Sequence, residues 1–253
     1  MECLPLKLDE QQSLREFRVC FQKGEGDSLT IPIRELTNNV LLKNYMDRVQ
    51  QKLNAPNLMV AASMFAKRYS YLIVVPALYS FSALNKRVNV SIDHVSLEPS
   101  GSKEYWLPEL YLMDQTVVSP STIKEREELR EQVITELFAD HLNVIWEELS
   151  KIGKIPKQTL WENTAIYLFW LYETLLDKDF PELTRKRIKD DFHYLLYNAD
   201  SSLFGNYNRN PITKFFHDKQ MMDGSMVRKR RTCCFSYESE TRKMCKTCPK
   251  NSC

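Results

Sequence analysis

Five of the seven cysteines lie between residues 233 and 253 of this 253-residue chain. Cys233 and Cys234 are adjacent, ten residues separate Cys234 from Cys245, and two residues separate Cys245 from Cys248. Thiolates grouped in this way hold zinc or an iron–sulfur cluster, or exchange disulfides. The C-terminal end of the chain is therefore the candidate functional segment.

The adjacency of Cys233 and Cys234 distinguishes between the metals. Zinc sites are commonly built from two CxxC knuckles, whose spacing lets both sulfurs reach one tetrahedral ion. Here only Cys245 and Cys248 form such a knuckle. Neighbouring side chains of an extended chain point to opposite sides, so adjacent cysteines converge poorly on one ion. A two-iron, two-sulfur (2Fe-2S) cluster offers ligand positions further apart, and the spacing favours it over zinc.

The same cysteines carry a family resemblance. The run TCCFSYESETRKMCKTCP, with its CC-x10-CxxC spacing and closing proline, resembles the C-terminal cluster motif of the FhuF-like siderophore-iron reductases. Upstream, FAKRYSYLIVVPALYSFS and HLNVIWEELSKIGKIPKQTLWENTAIYLFWLYE resemble the main body segments of that family and of the related C-terminal domain of siderophore synthetases. The resemblance covers residues 60 to 253.

The resemblance implies a function and a set of residues. Cys233, Cys234, Cys245 and Cys248 would bind a 2Fe-2S cluster, and Cys253 lies outside the family pattern. The reaction would be a one-electron reduction of a ferric siderophore of the hydroxamate type, which releases ferrous iron in the cytosol. Lys67 and Arg68, in the KRY part of the first body segment, are candidates for binding an anionic ferric complex. No catalytic side chain is assigned.

The charge and glycine content bear on the electron donor. Residues 228–253 carry a net charge of +6, and residues 1–227 carry −4. The chain has only six glycines, and its sequence contains neither a GxGxxG nor a GxxxxGK[ST] motif, so a site for NAD(P)H or flavin is not indicated. We therefore expect a separate acidic donor protein of the ferredoxin or flavodoxin kind, which the basic segment would attract.

Two other functional classes remain open on the residues alone. A zinc-stabilised basic module could contact nucleic acid, and the cysteine pairs could form a thiol–disulfide switch. The family resemblance favours the reductase, without a nucleic-acid partner.

Hydropathy indicates a cytoplasmic protein without a transmembrane segment. The N-terminal residues are acidic where a signal peptide needs an apolar stretch. The longest apolar run, Leu72 to Leu84, is too short to cross a bilayer of about 30 Å as a helix.

The elements that position the cysteines belong to an α+β fold, with a helix-rich body and a small antiparallel sheet over residues 1–224 and a cysteine-rich iron–sulfur segment over 225–253. The alternating stretch Lys86–Leu97 predicts a strand that pairs with the β-prone stretch 105–118. Helices are predicted at the apolar stripe Leu42–Leu53, over 59–71, from the capping box of Thr122 and Glu125 to Ser150, over Thr159–Leu176, and over 182–197.

Two features of the helices concern the core. Trp161, Phe169 and Trp170 give the helix at Thr159–Leu176 an apolar surface on several sides, which predicts a central helix with these rings in the core. His141 lies on an apolar stripe and is expected to be a hydrogen-bonded core residue rather than an iron ligand.

Overall fold

The structure, a computed structural model, describes residues 1–99, 106–222, 224–239 and 244–250. Helices form most of the body, as predicted. Within the described residues they are α1 (Leu8–Arg15), α2 (Asn39–Lys52), α3 (Leu58–Ser82), α4 (Ile123–Leu137), α5 (Val144–Gly153), α6 (Lys157–Asp177) and α7 (Glu182–His193).

The strands are short and form three small sheets. They are β1 (Glu2–Pro5), β2 (Val19–Cys20), β3 (Ile31–Pro32), β4 (Arg87–Val88), β5 (Val95–Glu98), β6 (Glu109–Leu112), β7 (Thr116–Ser119), β8 (Gln220–Met222) and β9 (Ser225–Val227). The sheet orders are β1-β7-β4, β2-β6-β5-β3 and β8-β9. All pairs are antiparallel except β2 with β6, which corrects the expectation of a single antiparallel sheet.

The stretch Lys86–Leu97 is two strands rather than one. The Asn89 side chain accepts hydrogen bonds from the backbone N–H and the hydroxyl of Ser91, and the His94 N–H donates to the Ser91 carbonyl. These local bonds form a turn that separates β4 from β5. Pairing with the 105–118 stretch is confirmed, since β4 pairs with β7 and β5 with β6.

Helices α3 and α6 pack against each other at the centre of the core. By length and composition α3 could span a membrane. The apolar run that begins at Leu72 is therefore the second half of a longer apolar helix. However, 67% of the most apolar window of α3 is buried inside the protein. Burial on this scale is also what a core helix of a globular domain requires, because its apolar surface must be covered on several sides.

The segment from Thr122 to Gly153 is helical but not uniform. Thr122 Oγ1 accepts from the Glu125 N–H at 3.1 Å, and Glu125 Oε2 accepts from the Ser121 N–H at 2.7 Å, which confirms the predicted cap. A π-helical stretch at Phe138–Asn143 then joins α4 to α5. Helix periodicity alone did not indicate this widening.

His141 is a core residue, as expected. It is fully buried in the π-helical stretch, where Nδ1 donates to the Val90 carbonyl at 2.7 Å and Nε2 accepts from the Tyr69 hydroxyl at 2.5 Å. Burial lowers the pKa of His141 to about 4, since a charged imidazolium would be desolvated there. The residue is thus held neutral, with both ring nitrogens engaged.

The aromatic residues of α6 divide between core and surface. Trp161 and Phe169 are buried, but Trp170 is 42% exposed, so its predicted place in the core is wrong. Trp170 packs beside Tyr71 of α3, with ring centroids 5.9 Å apart. It lies on the side of α6 that faces the C-terminal segment, where it lines a surface cavity with Arg228 and Arg230.

Candidate functional site

The cysteine-bearing segment is docked on the body through Glu162 of α6. Glu162 Oε1 accepts a hydrogen bond from the backbone N–H of Arg231 at 2.6 Å, and Oε2 accepts from that of Thr232 at 2.7 Å. The Thr232 hydroxyl also donates to Oε2. These two residues directly precede Cys233, so the carboxylate fixes where the cysteine run begins.

Asn163 joins three parts of the chain. Its Nδ2 donates to the Ser63 carbonyl of α3 at 3.1 Å, and its Oδ1 accepts from Arg230 Nη2 at 2.7 Å. The backbone N–H of Arg230 in turn donates to the Thr247 carbonyl at 2.8 Å. Asn163 therefore connects α3 and α6 to Arg230. Arg230 in turn joins the segment before Cys233 to Thr247, which lies between Cys245 and Cys248.

The structure brings the four candidate cysteines into one group. Cys234 Sγ lies 3.7 Å from Cys245 Sγ, and the Cys248 N–H donates to the Cys245 carbonyl at 3.0 Å, which closes the CxxC turn. The Phe235 N–H donates to Cys233 Sγ at 3.3 Å. Cys234 and Cys248 are buried, whereas Cys233 and Cys245 are partly exposed. Cys253 lies outside the described residues.

The surroundings of the sulfurs favour charge on one of them. The contact with Cys245 lowers the pKa of Cys234 against the effect of burial, and the hydroxyl of Ser236 and the charge of Arg230 act in the same direction as Cys245. The proton then remains on Cys245, whose pKa is raised by its contact with Cys234. A buried sulfur whose ionised form is favoured is suited to ligate a metal.

The burial and hydrogen bonds of Arg230 show whether a negatively charged cofactor fits beside the cysteines. Arg230 is 4% exposed, its Nε donates to the Thr232 carbonyl at 3.0 Å, and its Nη2 lies 3.7 Å from Oε2 of Glu162. Its Nη1 is buried and has no hydrogen-bond partner among the described residues. A buried guanidinium donor without an acceptor is unfavourable by about 1–3 kcal/mol or more. An anionic cluster held by the neighbouring thiolates would supply charge compensation and sulfur acceptors, so these residues fit a 2Fe-2S group.

The spacing of the cysteines disfavours a single metal ion, because adjacent cysteines suit separate metal atoms better than one. Among the described residues, no group of three or more His, Cys, Asp or Glu side chains is placed to hold a metal ion.

The structure places Lys67 within electrostatic range of the cysteine segment, whereas Arg68 packs against other parts of the body. Lys67 is close enough to Cys245 for its charge to act on the thiol. Arg68 donates to the Met64 carbonyl at 3.2 Å, and its guanidinium lies over the Trp106 ring, 5.8 Å from the centroid. Desolvation lowers the pKa of Arg68.

Glu162 and Asn163 are the site residues that sequence reasoning missed. Both are nearly fully buried, although each is polar. A signal was present, since they are polar residues on an otherwise apolar central helix, and a buried polar group needs a partner. The sequence did not show which partner that would be, because the Glu162 contacts span about 70 residues of chain.

Comparison with known proteins adds two family matches. Residues 63–223 match the family described as ferric iron reductase FhuF-like transporter, and residues 230–250 match the FhuF 2Fe-2S C-terminal domain. No curated protein sequence matches the chain. The second match assigns a 2Fe-2S cluster to the cysteine segment in place of zinc.

Solved structures of siderophore synthetases share the fold. Aerobactin synthetase IucA of Klebsiella pneumoniae is 14% identical with a TM-score of 0.51, covering 72% of this chain and 37% of the synthetase. Its ATP-bound form is 14% identical with a TM-score of 0.55, covering 81% and 46%. The chain thus spans less than half the length of these synthetases. At this identity the likeness concerns the fold alone.

The body match covers more than half of the chain, and the cluster-domain match covers the residues that hold all four grouped cysteines. The chain therefore belongs to the FhuF-like ferric iron reductase family and carries that family's 2Fe-2S C-terminal domain.

Proposed function

We propose that this protein reduces a ferric siderophore of the hydroxamate type by one electron in the cytoplasm. The electron comes from a separate ferredoxin- or flavodoxin-like protein. Ferrous iron is released and the chelator is left intact.

Cys233, Cys234, Cys245 and Cys248 are the proposed cluster ligands. When bound, a 2Fe-2S cluster supplies a single electron at a potential set by nearby charge and hydrogen bonds. The protein contributes the buried charge of Arg230 and the backbone N–H of Phe235 beside the sulfurs. Glu162 and Asn163 hold these groups in place from α6.

The chemistry of the substrate explains why one electron is sufficient. Hydroxamate oxygens are hard, anionic ligands that bind ferric iron far more tightly than ferrous iron. Reduction therefore weakens the complex without breaking a bond of the chelator. The protein needs no acid, base or nucleophile for this step, so its residues only have to bind the complex near the cysteines.

Exposed cations around the cysteines support an acidic donor. Arg231, Lys246 and Lys250 are exposed, and each lies within two residues of one of the four grouped cysteines. Such charges attract an anionic protein over about 8 Å at physiological ionic strength, and salt weakens this attraction. We assign the donor interaction to this basic surface.

Lys67 and Arg68 are proposed to contact the ferric complex. Both belong to α3, and α3 lies under the cysteine segment. The charge of Lys67 acts on Cys245, which is partly exposed, so a complex bound at Lys67 would be within electrostatic range of the cluster. The observation that carries the whole proposal is this docking of a thiol-rich segment on the α3–α6 surface through Glu162 and Asn163.

Turnover with different donors tests the proposal. A ferrous chelator reports iron release from a ferric hydroxamate in the presence of a reduced ferredoxin or flavodoxin. We expect turnover with the carrier protein, a decline as ionic strength rises, and none with NADPH alone. Direct reduction by NADPH without a carrier would contradict the proposed donor.

A further inference from the structure

Two cavities flank the α3–α6 surface, and their cations differ in the carboxylate partners they have among the described residues. In the first, of about 210 Å³, Arg228 and Lys219 pair with Glu173 at 2.9 and 2.7 Å, and Arg230 lies 3.7 Å from Glu162. The second, of about 270 Å³, is lined by Arg18, Arg68, Tyr71 and Tyr167. We call this second cavity the Arg18–Arg68 cavity.

Neither arginine of this cavity pairs with a carboxylate among the described residues. Arg18 Nε donates to the Pro108 carbonyl at 3.0 Å and Nη2 donates to that of Leu107, while Arg68 has one bond to Met64 and its contact with Trp106. Carbonyl bonds orient a guanidinium without neutralising its charge. A guanidinium has five N–H donors, and on both Arg18 and Arg68 several of them remain available for an anion.

The backbone at Arg18 shows that its position is held under constraint. Arg18 has φ of +66°, a left-handed conformation that is unfavourable for a residue with a side chain. Its carbonyl accepts from the Leu110 N–H of β6 at 2.9 Å. Its side chain donates to the carbonyls of Leu107 and Pro108, which directly precede β6. Strained residues of this kind cluster at binding sites.

The cavity lies beside the cysteine segment. Tyr167 forms one wall, and burial raises its pKa to about 12. The charges of Arg68 and Arg230 act to lower this pKa, while Tyr71 and Cys234 act to raise it. Tyr167 is thus within electrostatic range of both the cavity arginine and the buried cysteine. The Tyr71 ring packs edge-on against it, with centroids 5.3 Å apart.

We infer that the Arg18–Arg68 cavity binds an anionic, oxygen-rich arm of the ferric complex. Two unpaired guanidinium groups and two phenol hydroxyls suit carboxylate or hydroxamate oxygens. A volume of about 270 Å³ lies below the range of about 300–1,000 Å³ typical of whole drug-sized ligands, so the cavity takes one arm and leaves the iron centre outside. This inference rests on the proposed reductase function.

The test uses two chelates that differ at one end of the molecule. Desferrioxamine B ends in an ammonium, and its N-succinyl derivative ends in a carboxylate on an added succinamide arm. Their gallium(III) complexes cannot be reduced under these conditions, so calorimetry on the cluster-loaded protein measures binding alone. We expect the succinylated complex to bind about tenfold or more tightly than the ammonium complex.

Variants then assign the preference to the cavity. Arg68→Gln and Arg18→Gln should each weaken binding of the succinylated complex about tenfold or more, with little effect on the ammonium complex. Arg185→Gln is the matched control, because Arg185 is exposed on α7 outside the cavity. Circular dichroism and cluster absorbance verify folding. If Arg68→Gln does not fold, Arg18→Gln decides by the same criterion.

Equal binding of the two complexes by the wild type, or wild-type binding of the succinylated complex by the folded cavity variants, would overturn the inference. Failure of the reductase function has a different signature. In that case the charge preference and its loss in the variants would be observed, but the ferric succinylated complex would not oxidise the reduced protein.

Discussion

Glu162 Oε1 lies 2.6 Å from the backbone nitrogen of Arg231, and this contact joins a central helix to the residue two positions before Cys233. The carboxylate is 3% exposed and also accepts from Thr232. A carboxylate that accepts several N–H and O–H donors is a strong anchor. The cysteine run is therefore positioned by the body rather than attached to it loosely.

Changing Glu162 to Gln should loosen the cysteine segment. The amide presents an NH2 group to at least one of the donors of Arg231 and Thr232, which we expect to weaken docking by about 1–3 kcal/mol. The cluster should then be lost faster to an iron chelator, as measured by visible absorbance. Glu128→Gln is the control, since Glu128 is exposed and its one ion pair within the described part of the chain is a long one, with Lys124 at 3.9 Å. Equal rates in both variants would contradict the anchoring role.

Changing Arg230 to Gln should lower the midpoint potential of the cluster. The buried positive charge favours the added electron, and a tenfold change in a one-electron equilibrium corresponds to about 59 mV, so we expect a decrease on the order of 60 mV. Arg230→Lys should retain part of the effect. Lys246→Gln, which removes an exposed cation between Cys245 and Cys248, should shift the potential less, because water screens its charge. A potential unchanged in Arg230→Gln would contradict this account.

Replacing any of Cys233, Cys234, Cys245 and Cys248 by Ser should remove or severely destabilise the cluster, because a hydroxyl is a poor substitute for a thiolate on iron. Cys253→Ser and Cys3→Ser should retain full iron and inorganic sulfide, measured on protein purified without oxygen. Retention of the cluster in Cys234→Ser together with its loss in Cys253→Ser would show that the ligands are assigned wrongly.

The body should fold without the cysteine segment. Among the described residues after Gly224, only the side chain of Phe235 packs against the main hydrophobic core, and Phe235 is only partly buried. A chain ending at Gly224 should keep its helical circular dichroism and cooperative unfolding, while losing all reductase activity. An unfolded product would show that residues 225–253 are part of the core and that the proposed division into two units is wrong.

Local sequence patterns predicted the elements better than their connections. The stripe from Leu42 to Leu53 and the cap at Thr122 depend on residues within a few positions of each other, and both were confirmed. The turn at Asn89 is formed by side-chain and backbone hydrogen bonds among Asn89, Ser91 and His94, which strand periodicity does not contain. The π-helical stretch at Phe138–Asn143 likewise leaves no mark in helix periodicity.

The site shows the same division. Cysteine spacing indicated the 2Fe-2S cofactor, because the four grouped cysteines lie close together in sequence. Glu162 and Asn163 were missed because their partners, Thr232 and Ser63, are 70 and 100 residues away. Arg18 was missed for the same reason, since its cavity combines the start of β2 with α3 and α6. Pairings of this kind are fixed by tertiary packing, which a single sequence does not specify.

The most direct test of the central claim is a single turnover. Protein reduced chemically without oxygen, and freed of excess reductant, is mixed with a ferric hydroxamate in the presence of a ferrous chelator. We predict that the visible spectrum of the oxidised cluster returns and that about one ferrous ion is trapped per cluster, since a two-iron cluster ordinarily delivers one electron. If ferricyanide reoxidises the same protein but no ferric siderophore does, the protein is not a siderophore-iron reductase.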